Sequence, residues 1–170
     1  MPTKIRFAVA LLLAGISLTS AADEAPKLSS AARDFIAKGA LLVLKACDLP
    51  KGVCGKSRFT ITGESGGDSN DEKRVTRQMS MDGLELEMSY PVTRPSKFYL
   101  SQVIIGGGQW KIPRGLDLGS NAAKVRAVLG QPSYVNDDCY EYVYEEKQSS
   151  ASLCFKDDKL VKLVWDQMID

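Results

Sequence analysis

Four cysteines, Cys47, Cys54, Cys139 and Cys154, are the side chains best suited to chemistry in this chain. Thiols can ligate a metal, exchange disulfides or cross-link. A four-thiolate zinc site needs ligand pairs two to four residues apart, and neither local pair has that spacing. The chain contains no histidine. That removes Ser–His and Cys–His nucleophile pairs and histidine metal ligands; lysine- or carboxylate-based chemistry stays open. An even cysteine count in an exported chain argues for two disulfides. Four cysteines allow three connectivities, and the spacing favours the local ones, Cys47–Cys54 and Cys139–Cys154. Loop-closure entropy then contributes roughly 2.5 and 3 kcal/mol.

Export is read from the first 22 residues. Lys4 and Arg6 precede the apolar run from Phe7 to Leu18, and Thr19-Ser20-Ala21-Ala22 offers small residues for cleavage. This is the pattern of a secretory signal peptide spanning 1–22. The run is too short to span a bilayer, which takes roughly 20 apolar residues. No cysteine lies near 19–23, so the expectation is a soluble, unlipidated, periplasmic product of residues 23–170 forming one disulfide-stapled domain. The full chain has 22 basic and 21 acidic residues. Losing Lys4 and Arg6 shifts the net charge to about −1, which gives no electrostatic reason for a nucleic-acid partner. No cofactor or metal signature is complete. Asp68, Asn70 and Glu72 alternate like calcium ligands, but Lys73 occupies the position that needs glycine. Gly106-Gly107-Gly108 leads into Gln109-Trp110-Lys111 rather than a phosphate-binding helix, so a bend is expected.

The elements that position these residues follow from periodicity and punctuation. Ser29 or Ser30 caps a helix to about Ala46, with Ala32, Phe35, Ile36, Gly39, Leu42, Val43 and Ala46 on one stripe. Asp48-Leu49-Pro50 stops it. Ser57 to Thr62 reads as a short strand and Gly63 to Glu72 as a flexible, solvated loop. Asp82-Gly83 is a two-residue turn that pairs Met81 with Leu84, Met79 with Leu86, Arg77 with Met88 and Val75 with Tyr90. Ser80–Glu85 and Gln78–Glu87 then share the other face, and a one-residue slip would destroy this agreement. Lys97 to Ile105 is the next strand. These elements make a helix-plus-hairpin half, 28–112. In the second half, 114–168, Ser120 is the expected N-cap of a helix from Asn121 to Leu129, with Ala122, Val125, Val128 and Leu129 inward. Gly130 and Pro132 end it. Tyr134–Glu145, Ser150–Lys156 and Lys159–Asp166 read as an antiparallel meander. Trp165 alternates with Val161 and Leu163 and is assigned to the core; Trp110 is either half-buried or part of a binding surface.

Together these predict an α+β fold of short helices packed on an antiparallel sheet. Tyr140, Tyr142 and Tyr144 share one strand face. That stripe is either a half-buried sheet face or a protein-binding surface.

The segment GLDLGSNAAKVRAVLGQP, then Cys139-Tyr140-Glu141-Tyr142 and FKDDKLVKLVW, resembles the BamE/SmpA-like outer-membrane assembly proteins. Val125, Leu129, Gly130, Pro132, Tyr142, Phe155, Asp157, Lys159 and Leu160 carry the pattern over about residues 114 to 166. The helix-plus-sheet unit also resembles that of β-lactamase-inhibitor proteins. The resemblance implies a BamE-like helix-plus-meander unit in the C-terminal half. It also implies a non-catalytic periplasmic protein-interaction module of the bacterial cell envelope, whose partner is another envelope or exported protein. The alternative is an inhibitor or immunity protein blocking an exported enzyme, with residues 63–72 or Asp137-Asp138 as the inserting loop.

Overall fold

The structure is a computed structural model that describes residues 27–69 and 72–167. The signal segment and its cleavage site, together with Asn70 and Asp71, lie outside the described residues. The helix α1 spans Ser30–Val43, and the Ser29 side chain accepts a hydrogen bond from the Ala32 N–H. Its stripe of Ala32, Phe35, Ile36, Gly39 and Ala40 is buried. The helix ends at Val43, short of the expected Ala46, because the chain turns there into a small sheet. That sheet comprises β1 (Cys47–Asp48), β2 (Val53–Cys54) and β3 (Ser57–Arg58). Cys47 pairs with Cys54 across β1 and β2, and the two are disulfide-bonded.

The remaining strands are β4 (Thr60–Ser69), β5 (Glu72–Met81), β6 (Leu84–Pro91), β7 (Tyr99–Ile105), β8 (Tyr134–Asn136), β9 (Cys139–Tyr144), β10 (Ser149–Lys156) and β11 (Lys159–Gln167). Among the described residues they form one eight-stranded antiparallel sheet in the order β4-β5-β6-β7-β11-β10-β9-β8. The β7–β11 pairing, with Leu163 opposite Ile105, joins the two halves of the chain. The fold is therefore α+β, as its alternation predicted.

Two strand expectations are corrected. Residues 63–69 are not a loop: they lie in β4, hydrogen-bonded along β5. Their Gly- and Ser-rich composition gives little strand preference, but a backbone ladder needs no side chains once a partner strand is present. The expected strand 134–145 is broken by a turn at Asp137-Asp138, where Asp137 adopts φ 46°. Aspartate tolerates this region better than most residues.

The Asp82-Gly83 hairpin has the predicted register at all four named apolar pairs. The triglycine supports it: Gly106 N–H donates to the Gly83 carbonyl at 2.8 Å. A Cβ on Gly83 would sit 2.4 Å from the Gly107 backbone, so this close approach requires glycine. Trp110, half-buried, donates its indole N–H to the Asp82 carbonyl at 2.9 Å.

The helix α2 spans Ala122–Leu129. Its N-cap is Asn121, which accepts from Lys124 N–H at 2.8 Å, rather than Ser120. Ser120 is buried and accepts from Asp117 N–H instead. Both helices lie on the same face of the sheet. The Trp165 indole N–H donates to the Phe35 carbonyl at 3.2 Å, and the two rings pack tilted by 41° with centroids 5.2 Å apart. The Ser29 hydroxyl donates to the Leu129 carbonyl, linking α1 to α2. Cys139 and Cys154 are also bonded, directly opposite each other on β9 and β10. Both local disulfide pairings are thus present. Bonds of this kind persist in oxidising, exported compartments.

Candidate functional site

Alternation sends every second side chain of the sheet away from the helices. On β6 the buried Leu84, Leu86 and Met88 alternate with Glu85, Glu87 and Ser89. On β11 the buried Leu163 and Trp165 alternate with Val164 and Asp166. Among the described residues no helix covers this second face, and its middle carries an ordered polar set. The Gln78 amide donates to one oxygen of Glu87 at 3.1 Å and the Ser101 hydroxyl to the other at 2.7 Å. One strand further, the Gln102 amide donates to Asp166 at 2.7 Å. The register places Glu87, Gln102 and Asp166 in one row across β6, β7 and β11, with Glu85, Ile104 and Val164 in the next. A depression of 370 Å³ opens among Gln78, Ser80, Glu85, Glu87, Gln102 and Ile104. Hydrogen bonds from Gln78 and then Ser101 hold the Glu87 carboxyl below the usual range, so it is anionic at neutral pH. The arrangement provides fixed acceptors beside an aliphatic pair.

The three tyrosines share one face, but it is the one that α1 and α2 cover. Tyr142 is fully buried and donates to the Gly130 carbonyl at 3.0 Å. Burial, then the neighbouring Tyr140, push its phenol up to about 12. In this fold a partner cannot reach it. Tyr140 is half-buried against Phe155, with ring centroids 4.9 Å apart, and Arg126 lies over its ring and donates to its hydroxyl. Tyr144 lines a separate cleft of 230 Å³ at the end of β9, with Arg33, Tyr134 and Glu145. Trp165 is core, fully buried as its alternation predicted. Asp137-Asp138 is an exposed hairpin tip.

Glu87, Gln102 and Asp166 were not singled out as site residues by sequence. The signal was partly there, since the hairpin register already put Gln78 opposite Glu87 on the polar face. The addition of Gln102 and Asp166 depends on β7 and β11 meeting across a long sequence separation. Among the described residues, no three His, Cys, Asp or Glu side chains are placed to hold a metal ion. Among those residues, too, no helix is long and apolar enough to cross a membrane.

No protein-family model, curated protein or solved structure matches this chain.

Proposed function

We propose that the chain is a non-catalytic, periplasmic protein-interaction module of the bacterial cell envelope that binds an exported protein through the uncovered face of its sheet. The observation that carries this reading is the Glu87–Gln102–Asp166 row. Its acceptors are already oriented by neighbouring side chains, so less ordering entropy is lost on binding. Ile104 and Val164 beside it supply the apolar centre that an interface needs. The export pattern, the two disulfides and the BamE-like motif of the C-terminal half support the envelope setting.

The test is capture from a periplasmic extract with immobilised wild-type protein, an Ile104→Lys variant and an Asp166→Lys variant. Folding of each is checked by its melting curve. The expected result is a defined partner retained by the wild type and by Lys124→Ala, and lost by both sheet-face variants. Equal capture by all four folded proteins overturns the reading. If the captured partner is an enzyme whose activity falls on binding, the inhibitor alternative replaces the assembly one.

A further inference from the structure

The two edges of the large sheet are unlike. One ends in β8, only three residues long. The other ends in β4, which runs ten residues from Thr60 to Ser69. Short edge strands, lysines, prolines and bulges are the usual devices against strand addition. The β4 edge has one bulge, between Ile61 and Gly63, and then pairs regularly with β5 to its end. It contains no lysine or proline. Glu64 is neutralised by Arg77 at 2.5 Å.

Two features of this edge are unfinished. The first is apolar. Ile61, Met79, Leu86, Val103, Trp165, Ala151 and Tyr142 form one continuous row across the sheet. Every member from Met79 onward is buried, whereas Ile61 at the edge is 53% exposed. An apolar side chain on an added strand would cover it. The second is cationic. Gly66 and Gly67 have open space where a Cβ would be, and beside them a cavity of 390 Å³ is lined by Lys73, Arg74, Val75 and Val92. Arg74 rests on the Tyr99 ring, 4.7 Å from its centroid. Neither Lys73 nor Arg74 is in an ion pair among the described residues. Resting on Tyr99, Arg74 reaches over β7, away from the edge, and the bare glycines leave Lys73 as the cation reachable from beyond it.

We propose that β4 accepts an extended segment of another protein as an added antiparallel strand, apolar where it meets Ile61 and acidic where it passes Gly66-Gly67. Backbone hydrogen bonds supply affinity, and the Ile61 contact and the Lys73 charge supply selectivity. A second copy of this chain is a poor occupant. Full antiparallel overlap of two β4 edges sets Ile61 against position 68, an aspartate, and leaves the apolar row uncovered.

This inference rests on the chain being a partner-binding module and names a contact separate from the sheet face. Its test uses a synthetic peptide, DTDTVTVT, acetylated and amidated, with KTKTVTVT as the control. Binding is read by fluorescence anisotropy and by hydrogen exchange of the protein. DTDTVTVT should bind more tightly than the control and slow exchange of the amides in 63–67. Lys73→Glu should weaken it about fivefold and favour the lysine peptide, and Ile61→Lys should weaken both peptides. Both positions are at least partly exposed, so the variants should melt like the wild type. No protection of β4 at millimolar peptide, protection only elsewhere, indifference to both variants, or β4 protection through a concentration-dependent dimer each overturns the inference. Because the peptide assay does not use the natural partner, a negative result here alongside successful capture rejects the edge and leaves the sheet-face reading standing.

Discussion

The two faces of the large sheet are made from the same strands, residue by residue in alternation, yet they differ in kind. One face lies under α1 and α2 and is filled by Trp165, Tyr142, Leu153 and Leu163, all with no exposure. The other carries Glu87, Gln102 and Asp166, held by side-chain hydrogen bonds rather than by packing. Antiparallel sheets commonly cover one face and leave the other in water. Stability should therefore be concentrated on one face, and recognition is free to evolve on the other.

The sharpest way to break that contrast is Leu129→Ala. Leu129 is fully buried between α2 and the sheet, so truncation should cost about 2–5 kcal/mol in chemical denaturation. A loss below about 0.5 kcal/mol, matching the exposed control Lys124→Ala, would mean that α2 is not packed as described. Gly39→Ala comes next. An added Cβ would lie 2.7 Å from the Trp165 ring, and such overpacking costs roughly 1–3 kcal/mol. A variant as stable as the wild type would show that α1 does not press on Trp165 this closely.

Tyr142 sharpens the comparison through pH. Its phenol is raised to about 12 in the fold, against about 10 when unfolded. The folded state thus favours the protonated form. This contribution is complete below pH ~10 and is lost as pH rises through the folded value. Tyr142→Phe should remove that alkaline loss from the stability–pH profile; an unchanged profile would contradict burial of the hydroxyl. The smallest expected effect is on the open face. Glu87 is depressed by Gln78 and Ser101, so its contribution is present above the ordinary carboxylate range, near 4.3, and declines as pH falls below it. Glu87→Gln should flatten the acid limb while changing stability at pH 7 by about 1 kcal/mol or less. A loss as large as that of Leu129→Ala would end the division of labour between the faces.

Local features were readable where one residue type decides a conformation. Asp82-Gly83 set the β5–β6 register because the turn admits few residue pairs and alternation penalises a slip. The spacing of the four cysteines matched strands that place Cys47 opposite Cys54 and Cys139 opposite Cys154. Gly130, at φ 86°, ended α2 as expected. Where several residues could serve, boundaries moved. Asn121 caps α2 because Ser120 is taken by the Asp117 N–H, and the Asp158 carboxylate also accepts from the Ala122 N–H at 3.1 Å. Residues 63–69 looked like a loop because glycine and serine carry little strand preference, and only β5 beside them makes the strand.

The candidate surfaces divide along the same line. Sequence by itself determined the α+β class, the alternation that separates Glu87 from Leu86 and Met88, and the common side of Tyr140, Tyr142 and Tyr144. These are period-two and turn properties, carried by neighbours in the chain. Only the tertiary structure decided that the helices cover the tyrosine side, that β7 meets β11 to align Glu87 with Asp166, and that β4 is left as the long edge. An amphipathic strand specifies that one of its faces must be buried. Which element buries it, and which strand lies beside it, depends on contacts between residues far apart in sequence, where alternation carries no information.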